Sequence, residues 1–256
     1  MAFIDDNTKF DADQIPSAVV GIAAEVGKHD SGLHQHNKGQ LLYAPSGCMT
    51  VKLERAMSIL PPTKAMWIPP QTEHQAIMTN VVAYRSIYFD CHAFDIPNEV
   101  SVIDVNALLK ALIDKIAMWP WDKPRNETVN SVALFWEEFN QAKKSCFTLP
   151  IPKDRRLNKL AIQLTEPTYQ PPQLNDFAQT IGASTKTITR IFKQQTGMGY
   201  QEWRQQWRLI KAIELLSQGL AVSDVGHHLE FSSDSAFIAF FKKQVGAPPL
   251  SFMQGK

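Results

Sequence analysis

Apolar and polar positions follow two rhythms along this 256-residue chain. In the first ninety residues the apolar runs are short and bounded by breakers: AVVGIAAEV, GQLLYAP, CMTVKL, AMSIL, AMWIP and VVAYRSIYFD lie between GKHDSG, PSG, PPTK and PPQTEH. Such β-prone runs between Gly and Pro clusters predict strands, and many short strands with regular turns predict a sandwich or barrel. From about residue 104 the apolar spacing lengthens to that of helices. Leu108, Leu109, Leu112, Ile113 and Ile116 fall on one side of a first helix. Val129, Val132, Leu134, Phe135, Trp136 and Phe139 form a broad face on a second, apolar enough to need a partner. The following TLPIPKD holds two prolines that interrupt helix and keep the chain extended, so it reads as a linker.

The last hundred residues carry one pattern twice. LNDFAQTIGASTKTITRIFKQQTG runs from Leu174 to Gly197 and VSDVGHHLEFSSDSAFIAFFKKQVG from Val222 to Gly246, with Phe192, Lys193 and Gly197 recurring 49 residues later as Phe241, Lys242 and Gly246. Each copy predicts a short apolar helix, a tight turn, a capping Ser and a second helix that ends in a basic turn and a Gly. That order suits a helix-turn-helix whose second helix enters the major groove of DNA. In the first copy Leu174, Phe177, Ala178 and Ile181 share a face, Gly182 supplies the turn and Ser184 caps the next helix. Ile188, Ile191 and Phe192 then face inward, leaving Lys186, Thr189 and Arg190 outside, with Ser184, Thr187 and Lys193 beside them as further DNA contacts.

Over residues 153 to 256 the chain strongly resembles the AraC/XylS family of transcription regulators. The resemblance is carried by the paired helix-turn-helix units, by Trp203, Arg204, Arg208, Leu209, Ala212 and Leu215-Leu216 on the joining helix, and by a closing VGAPPLSF similar to the family's FGxSPxxYR ending. It implies two reading helices on one side of a rigid connecting helix, entering successive major grooves about one DNA turn apart, with Lys186, Thr189 and Arg190 in base-facing positions. The second copy departs from the family pattern. Glu230 stands where the turn Gly is usual, Gly226 replaces a small Ala, and Ala239 replaces an exposed Arg. Ala236 and Ile238 cannot donate either. DNA contacts there fall to Ser232, Ser233, Asp234 and Ser235 at the helix start and to Lys242 and Lys243 near its end, and phosphate would repel Asp234. The second unit is expected to be the weaker reader.

Charge sharpens this picture. The overall balance of 26 Lys and Arg against 25 Asp and Glu gives only +1, but residues 153 to 256 hold 13 against 8 and the preceding part 13 against 17. Positive charge therefore gathers where DNA would bind. Cys48, Cys91 and Cys146 lack the paired spacing of a zinc ribbon or redox motif, and are expected reduced and buried. The start MAFIDDNTKF does not resemble a signal peptide, and the chain has no run of 18 apolar residues, which points to a cytoplasmic protein with no membrane partner.

The sheet portion resembles the cupin-type effector domain carried by many AraC-like regulators, through His34-Gln35-His36, Gln40, Gly47 and Pro69-Pro70-Gln71-Thr72-Glu73-His74. Residues two apart on a strand point to one face, so His34 and His36 could both enter the interior, with His74 approaching from a neighbouring strand. Three imidazoles could hold a divalent transition metal, line an organic-ligand pocket, or be incidental hydrogen-bonded histidines. In metal-binding cupins the fourth ligand is commonly Glu. Here Gln40 is the nearest candidate, and Gln71 replaces the usual Gly of the second motif.

The expected fold class is α+β: a cupin-like barrel or sandwich with following helices, then an all-α domain with two helix-turn-helix motifs. The expected domains are a sensor over 1–147 with a helical dimerisation segment near 104–145, a linker over 148–153 and a DNA-binding domain over 154–256. The function that follows is a transcription regulator controlled by a small effector or metal, with promoter DNA, RNA polymerase and a second copy as partners. The competing class is a metal-dependent cupin enzyme with an attached DNA-targeting domain. It would need an acid or base beside the metal, and only Glu73, Tyr43 and Tyr84 present themselves.

Overall fold

The computed structural model describes residues 10 to 253 apart from 80, 81, 146, 165 and 167. Among the described residues two compact units emerge: residues 10–53 with 59–147, and residues 54–58 with 148–253. Cys146 lies outside the described residues, as do the first nine positions.

The first unit is an antiparallel sandwich. One sheet has the order β1-β8-β3-β6-β9, formed by Val19–Val26, Val82–Phe89, Gly39–Ser46, Lys64–Ile68 and Ser101–Asp104. The other runs β4 (Met49–Leu53), β7 (His74–Met78) and the short β2 (His29–Asp30), with β5 (Ala56–Leu60), whose first three residues count with the second unit, beside β4. All six expected runs form strands. β2, β7 and β9 were not among them, although His74, the first residue of β7, was expected on a strand; β7 begins on the last residue of the PPQTEH breaker.

Alternation along each strand sorts side chains between two environments. From the first sheet, Ala23, Leu41, Tyr43, Ile87 and Phe89 pack against two helices, α1 (Ala107–Ala117) and α2 (Arg125–Gln141). Their partners are Leu109, Leu112, Ile113 and Ile116 of α1 with Val132, Phe135 and Phe139 of α2. The intervening residues Ile22, Ala24, Val26, Leu42, Tyr84 and Tyr88 line a cavity. Gly21 is needed where α1 crosses β1, because a Cβ there would lie 2.2 Å from the Ile116 carbonyl oxygen. The helical faces are narrower than their apolar content suggests: Leu108, Val129 and Leu134 are exposed, and Trp136 is half-buried.

The second unit is helical. It opens with β10 (Thr148–Pro150), which pairs antiparallel with Ala56–Ser58. Part of the expected linker is therefore a strand, consistent with the extended backbone that proline favours. Then come α3 (Asn158–Gln163), α4 (Leu174–Ile181), α5 (Thr185–Thr196), α6 (Tyr200–Ser217), α7 (Val222–His228), α8 (Asp234–Val245) and α9 (Pro249–Met253). The long α6 is the spine. It buries Trp203, Trp207, Leu209, Ile210, Ala212, Ile213, Leu215 and Leu216, and also two arginines. Arg204 donates to the Pro171 carbonyl at 2.7 Å and pairs with Glu230 at 3.1 Å, while Arg208 donates to the Leu229 carbonyl and lies 3.9 Å over the Phe231 ring. Burying a guanidinium is costly unless its donors are used, and these contacts fix the segment leading into α4 and the turn of the second pair to the spine.

Candidate functional site

The two helix pairs form by the same local rules. In α4, Phe177 and Ala178 are buried, and Leu174 and Ile181 half-buried. Gly182 ends the helix at φ 69°, in the left-handed region that is cheapest for Gly, and the Ala183 amide returns to the Ala178 carbonyl. Ser184 caps α5 by accepting from the Thr187 amide at 3.1 Å. Ile188, Ile191 and Phe192 are buried, and Phe192 packs edge-on to Tyr200 and Trp203.

In the second pair the Phe231 amide returns to the Gly226 carbonyl, Ser233 caps α8 by accepting from the Ala236 amide at 3.2 Å, and Phe237 and Phe241 are buried. Gly226 allows α7 to approach α8, since a Cβ would meet Phe237 Cβ at 3.2 Å. Glu230 takes φ 58°, so the backbone keeps the conformation that the replaced Gly would hold. The second turn is one residue longer. Two steps separate Gly182 from its capping Ser184, and three separate Glu230 from Ser233.

The outward faces differ. Lys186, Thr189, Arg190 and Lys193 are exposed on α5, with Ser184 exposed and Thr187 half-buried. Thr187 Oγ1 is shared with Ser184 at 2.9 Å, and Lys193 donates to the Gly197 carbonyl at 2.8 Å. Arg190 has only a long contact to Gln194, 3.4 Å, so its guanidinium remains available. On α8 the exposed residues are Asp234, Ser235, Ile238, Ala239, Lys242, Lys243 and Gln244, preceded by exposed Ser232 and Ser233.

In the sandwich the structure brings His34, His36, His74 and Gln40 together. The expectation that His34 and His36 share a strand is not met. His34 forms an isolated bridge with His74, and His36 lies in an irregular stretch before β3. The rings converge all the same, with His74 centred 4.4 Å from His34 and 5.1 Å from His36. One ligand nitrogen from each lies within 4.8 Å of the others. Each Nδ1 faces a backbone carbonyl: His34 that of Gly32 at 3.0 Å, His74 that of Thr72 at 2.8 Å, and His36 that of Lys38. His36 Nε2 lies 3.0 Å from Gln40 Oε1, and the Gln40 amide nitrogen donates to Ser86 Oγ at 2.9 Å and Tyr88 Oη at 2.8 Å. His74 Nε2 is buried with no hydrogen-bond partner. Burial pushes the His74 imidazole down to about 4, and the two neighbouring histidines act in the same direction.

His34, His74 and Gln40 border a cavity of about 430 Å³, together with Leu42, Met78, Tyr84 and Tyr88. Burial raises the Tyr84 phenol to about 12 and holds the Tyr88 phenol well above its ordinary range, so both stay protonated. Ser86 and Tyr88 were missed in the sequence; their signal is the period of two through Tyr84, Ser86 and Tyr88 on β8. Of the candidate acids and bases, Glu73 is exposed, Tyr43 is buried with its hydroxyl donating to the Pro62 carbonyl, and only Tyr84 lines the cavity. Gln71, standing where a Gly is usual, has φ 59°. Cys48 is buried as expected, whereas Cys91 is exposed because it follows the end of β8 on a surface turn.

A sandwich with a lined cavity and a pair of helix-turn-helix units on one spine together define a ligand-responsive DNA-binding protein. Two family models match, the AraC-like ligand binding domain over residues 16–130 and a helix-turn-helix domain over 177–255, about three quarters of the chain between them. The chain belongs to the AraC family of transcription regulators. The HTH-type transcriptional regulator NimR of Escherichia coli is 27% identical over 94% of this chain and 89% of its own length. RipA of Corynebacterium glutamicum is 30% identical, over 43% of this chain and 33% of its own. A solved structure of ToxT from Vibrio cholerae covers 93% of this chain and 98% of its own, at 11% identity and a TM-score of 0.37, too distant for any inference about residues. Among the described residues no helix is long and apolar enough to cross a membrane.

Proposed function

We propose that this regulator is a cytoplasmic homodimer that reads its promoter chiefly through α5, uses α8 mainly for backbone contacts, acts on RNA polymerase there, and responds to a small effector or metal held in the sandwich cavity. One observation carries the reading of DNA. Lys186, Thr189 and Arg190 stand exposed on α5, while the equivalent places on α8 hold Ser235, Ile238 and Ala239. A guanidinium can bond bidentately to guanine O6 and N7, and no apolar side chain can substitute for it. The termini of α8, with Ser232, Ser233, Asp234, Lys242 and Lys243, suit phosphate contacts better than base edges, Asp234 working against them. The exposed Leu108, Val129 and Leu134 on α1 and α2 support dimerisation through these helices. Control is a population shift: an effector in the cavity presses on the sheet whose far side carries α1 and α2, and it favours whichever state it binds better.

Replacing Arg190 with Ala tests the reading. A loss of about 1–3 kcal/mol in specific DNA binding is expected at fixed salt, with circular dichroism unchanged. Operator affinity equal to wild type would remove α5 from its role.

A further inference from the structure

We propose that α8 reads thymine by its C5 methyl group, with Ile238 as the specificity-determining side chain and Ala239 beside it. This rests on reading α8 as a helix that enters the major groove, and it names what the helix recognises there. The repeat of 49 residues aligns the outward stripe Lys186, Thr189, Arg190 and Lys193 of α5 with Ser235, Ile238, Ala239 and Lys242 of α8, and all eight are exposed. Spacings of three, four and seven residues put each set on one helical face. The orientation of α8 is fixed from behind. Phe237 and Phe241 are fully buried, the first against Gly226 of α7 and the second edge-on to Phe252 of α9, so the opposite stripe faces outward.

Among the described residues, Ile238 is the only large apolar side chain exposed on either reading helix, at 37%. A lone exposed Ile is ordinary on a protein surface, but this one stands where α5 presents Thr189, with Ser235 one turn before it and Lys242 one turn after. The base edges of the major groove are otherwise polar: guanine shows two acceptors, cytosine and adenine an amino donor, and thymine alone adds a methyl group. Ile238 can neither donate nor accept. Covering a G·C edge with it would strip those polar atoms of water and leave them unpaired, whereas covering a thymine methyl removes apolar surface from water on both partners. Its branched Cβ favours the contact, because Ile holds essentially one χ1 rotamer in a helix and loses little freedom on docking. Ala239 adds a second methyl and is short enough to let the helix come close to the bases. Ser235 and Lys242, at the two ends of the stripe, suit sugar and phosphate. Arg190 and Ile238 thus read different letters, guanine by hydrogen bonds and thymine by desolvation.

The test uses the full-length chain and a DNA duplex selected by it from a random-sequence library. In synthetic copies of that duplex each thymine is replaced singly by deoxyuridine, which removes the methyl group and keeps every hydrogen-bonding atom. At one salt concentration, at least one replacement should weaken binding about fourfold, the factor carried by one buried methylene. For Ile238→Ala the thymine and uracil duplexes at that position should bind within about twofold of each other, the scatter expected of uncoupled sites. Circular dichroism should be unchanged, since the side chain is on the surface and Ala suits a helix. With a C·G pair in the same place, 5-methylcytosine should bind about fourfold tighter than cytosine, the methyl group again being the only difference. Arg190→Ala should weaken binding to the thymine and uracil duplexes alike and keep their ratio. Uracil tolerated within about twofold at every position, or a uracil penalty that persists undiminished in Ile238→Ala, overturns the proposal and leaves α8 with backbone contacts alone. The reading of α5 fails separately. If Arg190→Ala binds as wild type does while the Ile238-dependent penalty remains, the thymine contact of α8 stands and α5 loses its role.

Discussion

The pair α4–α5 and the pair α7–α8 share almost every backbone device, yet present different chemistry. Both turns pass through a left-handed residue, Gly182 and Glu230; both reading helices are capped by Ser, at 184 and 233; both end at a left-handed Gly, 197 and 246. Their cores are comparable, with Phe192 against Tyr200 and Trp203 and Phe241 against Phe237 and Phe252. Outside, one has Lys186 and Arg190 where the other has Ser235 and Ala239. Holding a helix against the spine and reading bases are therefore separate properties, carried by opposite faces of one helix. Glu230 makes the same point from the backbone. The conformation is kept although the residue suited to it is gone, and the ion pair with buried Arg204 gives the Glu a partner on the spine.

The largest effects should show the two units as equals. Phe192→Ala and Phe241→Ala, both at fully buried positions, should each cost about 3–5 kcal/mol of stability in chemical denaturation. A second-unit cost below 1 kcal/mol would mean that the pair is not packed as described. DNA should then show them as unequal. In saturation mutagenesis of a bound operator, base changes in the groove facing α5 should cost about 1–3 kcal/mol each where a bidentate contact is lost, and clearly less under α8. Equal sensitivity under both units would defeat the comparison.

A smaller effect should narrow the gap. Ala239→Arg places a cation on the exposed face of α8, and should tighten DNA binding by about 1 kcal/mol, more at low salt than at high. Unchanged affinity in a salt series would show that this face does not meet DNA. Smallest of all, Glu230→Gly relieves a left-handed non-Gly residue worth about 1 kcal/mol while taking from the buried Arg204 a partner whose carboxylate is 61% exposed, a loss of about 0.5 kcal/mol. A net gain of about 0.5 kcal/mol in unfolding free energy is expected; a loss exceeding 1 kcal/mol would make the Arg204 pair a principal tie of the second turn.

Much of this was legible because it is local. Periodicity gave the six strand runs and the helices, the repeat gave the paired units, and Gly182 and Ser184 marked a turn and a cap by chemistry that acts within a few residues. Legibility failed where partners are distant. Val129, Leu134 and Leu108 satisfy a helical apolar pattern, but packing against the sheet decides which apolar residues are covered, and these three stay exposed. β7 starts inside a breaker, so although His74 was expected on a strand, its pairing with β4, Val51 opposite Ala76 and Leu53 opposite His74, leaves no trace in its own neighbours.

The histidine cluster shows the division most clearly. The residues that could bind an ion, His34, His36, Gln40 and His74, were determined by the sequence, because imidazole and amide chemistry belongs to the side chain. Their convergence was decided by tertiary structure. Antiparallel register sets Gln40 opposite Tyr88 and Leu42 opposite Ser86 and bridges His34 to His74, and so brings one amide to His36 and collects three rings that no strand alternation would have gathered. Register is a sum of many cross-strand contacts, and burial, which strips the His74 nitrogen of water, depends on all of them at once.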